Sequence, residues 1–230
     1  MSERSFKTGR LRVRLGILLH AADFDLRRSE WSLLPARKTI SPLLSFLYSP
    51  DETIKWRAVT AVGIVMAKLA DEDTESARVV MRRLIWSLND ESGGIGWGAP
   101  EAMGEIMAVH EALADEYVHI LVSYIRSDCN RLENDLLERG VLWGLGRVAQ
   151  VRPQLLQERA FCFVPYLEST DPMHRGLAAR ALGFLDARAF HDCLRPLLKD
   201  GSPLLIFEDG ISVCCSVSEL AQRAMGLREL

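Results

Sequence analysis

Residues 171–199 read DPMHRGLAARALGFLDARAFHDCLRPLLK, and their periodicity decides the fold. Ala178, Ala181, Leu182 and Leu185 recur at i, i+3, i+4 and i+7, the stripe of a helix with one buried side. Asp171 and Pro172 stand ahead of that stripe as a capping residue and a first-turn proline. Beyond Asp186 a second stripe runs through Phe190, Cys193, Leu194, Leu197 and Leu198 and stops at Asp200-Gly201. Two short amphipathic helices cannot bury both stripes against each other, so such a unit requires copies of itself on either side.

The copies are found by a short pattern: a small or short apolar residue, two free positions, a small residue, an apolar residue, then glycine. It recurs as Ala58…Ala61-Val62-Gly63, Ala99…Ala102-Met103-Gly104, Val141…Gly144-Leu145-Gly146, Ala178…Ala181-Leu182-Gly183 and Ala221…Ala224-Met225-Gly226. The five glycines lie 41, 42, 37 and 43 residues apart. Pro165 and Pro172 are answered 31 residues later by Pro196 and Pro203, and Leu167 by Leu198. Small residues at fixed positions let neighbouring helices cross closely, where a bulky side chain would hold their backbones apart.

The pattern resembles the HEAT-like repeats of the phycobilisome-lyase type. The likeness is clearest from Asp171 to Pro203, where Asp-Pro, Arg175, Ala-Ala-x-Ala-Leu-Gly and the following Ala-Arg-Ala stand in the repeat's order. Looser copies cover residues 40–230. The resemblance implies an all-α fold, a right-handed α-α superhelix of the HEAT/armadillo kind, and it implies no particular activity, since lyases, hydroxylases and plain adaptors share the repeat.

About five helix pairs are expected: 41–48 with 51–70, 74–88 with 100–113, 115–126 with 133–151, 154–168 with 172–185, and 188–199 with 218–230. Ahead of them, residues 1–9 read as a loose arm. Helices over 11–19 and about 25–36, the second using Leu26, Leu33 and Leu34, would cap the open end of the stack. Residues 1–38 thus form a basic arm and cap, and 39–230 the repeat array, continuous with it as one domain. One insertion interrupts the last pair. Two β-rich runs, Leu204–Phe207 and Ile211–Cys215, flank Asp209-Gly210, a strong hairpin signal. A two-stranded ribbon there points Cys214 and Cys215 to opposite faces.

With 230 residues, 48% of them hydrophobic, the chain can bury a sizeable core. The net charge of −3 disfavours nucleic-acid backbone as the main partner. The balance is uneven, because residues 1–38 hold nine Lys or Arg against four acids. Five cysteines without a CxxC spacing point to free thiols in a reducing cytoplasm. No apolar run is long enough to span a membrane, and the short apolar stretch after Arg14 falls below signal-peptide length.

The repeat register selects the candidate site. At about 100° per residue, positions seven and three before each repeat glycine fall opposite the small-residue seam. These are Trp56, Trp97, Arg139, Gly176 and Glu219, and Thr60, Glu101, Trp143, Arg180 and Arg223; Glu105 and Arg147 follow one step past a glycine. In a stack this column lines the inner, concave surface. Three of five tryptophans occupy it, and tryptophan is favoured where surfaces bind. The competing reading tucks Trp56 and Trp97 under the preceding loops. The loop 89–101, with four glycines in six residues and Asp90, Glu91, Glu101 and Glu105 in or beside it, permits close backbone approach. Its acids repel phosphate and suit an amine or guanidinium held beside Trp97; alternatively they cap the next helix or pair with Arg82 and Arg83.

These residues favour a binding protein over an enzyme: an adaptor holding a protein segment or small cationic ligand, centred on Trp97, Glu101, Glu105, Trp143 and Arg147, with no cofactor or metal. His110-Glu111 lacks the repeated partners of a di-iron hydroxylase, and His191 and Cys193 lie about 200° apart on a helix, unable to share a metal. The enzymatic alternatives are a DNA alkylation-repeat glycosylase, imitated by Trp86 with Asp90 and Trp143 with Arg147, or a lyase acting on a bound tetrapyrrole. The acidic balance and the lack of a basic stripe count against the first.

Overall fold

The computed structural model describes residues 3–89, 96–208 and 210–227, with side chains from residue 10 onward. Its chain divides into two compact units, Met1–His110 and Glu111–Leu230.

In the first unit, helix α1 (Glu3–His20) leads through a 3-10 turn to α2 (Arg28–Leu33), then α3 (Ala36–Leu44), α4 (Glu52–Glu72), α5 (Thr74–Leu88) and α6 (Ala99–Val109). Each start has a local cause. Asp51 accepts from the backbone NH groups of Thr53 and Ile54 and caps α4, while Asp73 ends that helix and caps α5 through Ser76 NH. Gly98, at φ 73°, makes the left-handed turn before Pro100 opens α6. The leading helices are tied to α4 by their own orphan carbonyls. Arg57 donates to Leu19 O and Ala21 O at 2.8 and 3.0 Å, and Lys68 to Ser32 O and Leu34 O at 2.7 and 2.9 Å.

Two local expectations are corrected here. Residues 3–9 continue α1 instead of forming an arm. Leu26 and Leu33 lie in solvent, and the buried stripe of that segment is Phe24, Trp31 and Leu34. Phe24 and Trp31, seven residues apart, meet at 6.1 Å between ring centroids. Two large rings bury more apolar area than two leucines, and that difference sets the rotation of the segment.

The second unit runs α7 (Glu111–Ser123), α8 (Asp135–Val151), a 3-10 segment (Gln157–Glu168), α9 (Pro172–Gly183), a run of short turns containing α10 (His191–Leu194), strands β1 (Pro203–Glu208) and β2 (Ile211–Ser216), and α11 (Val217–Ala224). Asn134, Asp171 and Ser216 cap α8, α9 and α11, the last as a full capping box with Glu219. The expected helices 154–168 and 188–199 are 3-10 and mixed turns. Each carries an internal proline, Pro165 or Pro196, which supplies no NH to an α-helical ladder. The antiparallel ribbon forms with Leu204 opposite Cys215 and Leu205 opposite Cys214; Cys215 is buried and Cys214 exposed.

The small-residue seam is present in both units. A Cβ on Gly63 of α4 would stand 2.7 Å from Glu105 Cγ on α6. On Gly146 of α8 it would stand 3.2 Å from Arg180 Nη1 and 3.8 Å from Ala181 Cβ on α9, and on Gly183 of α9 2.9 Å from Ala224 Cα on α11. Each glycine is thus the point at which one inner helix admits the next.

Candidate functional site

The register column divides into two differently used faces. In the first unit α4 contributes Trp56 and Thr60, and α6 with its preceding turn contributes Trp97, Glu101 and Glu105. Trp56 and Trp97 are half-buried. Glu101 and Glu105 have only 6% and 8% of their surface exposed. A carboxylate so placed requires a cation or hydrogen bonds. Glu101 has one: Lys55 Nζ lies 3.3 Å from its Oε1 and 5.1 Å from the centre of the Trp56 ring, with Glu52 3.6 Å away on the outer side. For Glu101, the cation that the sequence suggested is therefore supplied, in this structure, by the chain itself. Asp90 and Glu91 lie outside the described residues.

In the second unit the column is covered. Trp143 is 5% exposed, donates its indole NH to Phe207 O at 2.8 Å and packs on the Phe207 ring at 6.4 Å. Arg180 donates Nε to Glu208 Oε1 at 2.7 Å and stacks on Phe184 at 5.0 Å; its Nη1 is buried with no hydrogen-bond partner among the described residues. Gly176, also in the column, leaves room for Leu204 and Leu220. The β1–β2 ribbon thus occupies the face expected to be open, and an indole held by Phe207 cannot stack on a nucleobase. Arg139 is spent on Asp171 at 2.6 Å, at the cap of α9. Burial alone raises the Asp171 pKa, but the Arg139 hydrogen bond, the Met173 NH and the nearby His174 together carry it below the usual carboxylate range. Arg147 donates to Gln150 at 3.1 Å. The structure thus brings Trp56, Glu101 and Lys55 together in one unit and gives Trp143, Arg139 and Arg180 intramolecular partners in the other.

Two features were not singled out by register. Trp86, near the end of α5, is the exposed indole of the chain. A cavity of about 450 Å³ opens in the second unit between the 125–131 turn and residues 161–170, at the end of the 3-10 segment. Among the described residues no group of three or more His, Cys, Asp or Glu is arranged to hold a metal, and no helix is long and apolar enough to cross a membrane.

Residues 136–185 match the HEAT-like repeat family. That segment runs through α8 to the end of α9, the part of the chain that holds two of the repeat glycines. An uncharacterised protein of Archaeoglobus fulgidus is 31% identical over 115 residues, which is 48% of this chain and 54% of the relative, so the chain spans about half the length of that relative. Among solved structures, a computationally designed armadillo repeat protein for modular peptide recognition superposes with a TM-score of 0.54 at 15% identity, over 98% of this chain and 94% of that one. A designed armadillo repeat protein in complex with the peptide (KR)4 gives 0.51 at 14% identity, over 93% and 97%. An engineered protein from a structural-genomics programme gives 0.51 at 18% identity, over 94% and 95%. These likenesses establish an all-α repeat scaffold of the HEAT/armadillo kind.

Proposed function

We propose that the chain is a non-catalytic binding protein that holds a basic peptide segment, or a small ligand bearing the same cation, on the α4–α6 face of its first unit. The observation that carries this reading is that the buried Glu101 and the half-buried Trp56 already receive one ammonium, that of Lys55, which a peptide cation would join or displace. Those are the two groups by which a lysine or arginine is recognised when water is largely excluded. Glu105, one turn beyond Glu101, and the half-buried Trp97 extend the same chemistry past a single cation. That a protein of this fold has been made to hold a Lys/Arg repeat peptide supports the choice of partner. The free thiols support a reducing compartment such as the cytoplasm.

The test is fluorescence anisotropy with a labelled peptide of alternating Lys and Arg. Saturable binding that weakens with salt is expected, lowered at least tenfold by the Glu101→Gln, Glu105→Gln double variant with its helical circular dichroism retained. Equal affinity in the folded double variant contradicts the proposal.

A further inference from the structure

We propose that the cavity between the 125–131 turn and the 161–170 segment is a second binding site, for a small organic anion with a flat apolar body. It is independent of the α4–α6 face and lies wholly within the second unit. Its volume, about 450 Å³, falls among those of small-molecule pockets.

The lining has two halves. One is apolar: Ile125, Pro165, the buried Cys162 and the Phe161 ring, which is 57% exposed at the rim. A large aromatic side chain left in solvent beside a concave apolar floor lacks a partner that a flat ligand would supply. The other half carries the guanidinium groups of Arg126 and Arg131 together with the Asp128 carboxylate. Arg126 is held by Asp128 through Nε and Nη2 at 3.0 and 2.5 Å, which orients the guanidinium and leaves Nη1 unengaged among the described residues. Arg131 donates Nε to the buried Glu138 at 2.8 Å and stacks on Tyr166 at 5.7 Å, with 52% of its side chain still in solvent. Tyr166 in turn donates its hydroxyl to Glu138 at 2.8 Å, so the back wall is a closed hydrogen-bonded set. Two guanidinium groups, those of Arg126 and Arg131, therefore line the cavity, each held by one carboxylate and each with NH groups beyond that pairing. Fixed forks with spare NH groups beside an apolar slot recognise a carboxylate or phosphate carried on a ring.

The probe is 8-anilino-1-naphthalenesulfonate, a fused-ring anion whose fluorescence rises in apolar surroundings, with the full chain as receptor. One saturable site is expected, weakened at least tenfold by Arg126→Gln and by Phe161→Ala, both rim residues whose replacement spares the core. Arg195→Gln, on an exposed arginine elsewhere in the unit, should leave the affinity unchanged. Phenyl phosphate or phenylacetate should displace the probe at concentrations at least tenfold lower than benzyl alcohol or inorganic phosphate, and whichever of the two wins names the anionic group. The proposal is overturned if Arg195→Gln weakens the probe as much as the rim variants do, if neither rim variant changes its affinity, or if benzyl alcohol competes as well as the anions.

Discussion

The α4–α6 face and the α8–α9 face derive from the same repeat register, yet they are put to opposite uses. On α4–α6, Glu101 and Trp56 hold the chain's own Lys55, and Trp56 and Trp97 stay half-buried; on α8–α9 the column is closed by a ribbon whose Phe207 and Glu208 take the hydrogen bonds of Trp143 and Arg180. In a repeat scaffold the inner column is a supply of recognition groups, and an insertion from the same chain can consume that supply as readily as a partner can.

The comparison can be broken most forcefully at its tryptophans. Trp143→Ala removes a sealed ring and leaves the Phe207 carbonyl without its donor, so a loss of about 3–5 kcal/mol is expected in urea unfolding. Trp56→Ala on the half-buried face should cost only about 1 kcal/mol. Similar losses at both positions would mean that the two faces do not differ in the way described.

The glycines sharpen the same contrast with a smaller effect. At Gly183 an added methyl meets the Ala224 backbone, which can yield only if α11 moves, and Gly183→Ala should cost about 1–2 kcal/mol. At Gly63 the added methyl meets Cγ of the buried Glu105 side chain at 2.7 Å. Alanine's helix propensity, about 1 kcal/mol better than glycine's, offsets part of that crowding, because a side chain and not a backbone must shift, so Gly63→Ala should cost less than Gly183→Ala. Binding of the basic peptide, which the proposed site places against Glu105, should still respond to it.

Much of the fold was legible because the constraint that makes it is local and periodic. A glycine that must admit a neighbouring helix repeats at the spacing of the unit, as Gly63, Gly146 and Gly183 show, and Asp51 and Asp171 announce their helices one residue ahead. The site was less legible because register says which way a side chain leaves its helix and not what arrives there. Phe207 reaches Trp143 across 64 residues of sequence. Nothing in the spacing of α8 encodes that meeting. The pairing of Lys55 with Glu101 is equally non-local, although an acid-facing lysine beside Trp56 could have been sought once α4 and α6 were recognised as neighbours. The cavity near Phe161 has no periodic signature because its wall is 3-10, a conformation that helical periodicity misplaces.

The most direct measurement is hydrogen–deuterium exchange of the full chain with and without the alternating Lys/Arg peptide. The account predicts slowed exchange in the segments around Trp56 and from Trp97 to Glu105, with 139–147 and the 203–216 ribbon unchanged. Protection confined to 139–147, with the ribbon exchanging faster as it is displaced, would contradict it and transfer the binding face to the second unit.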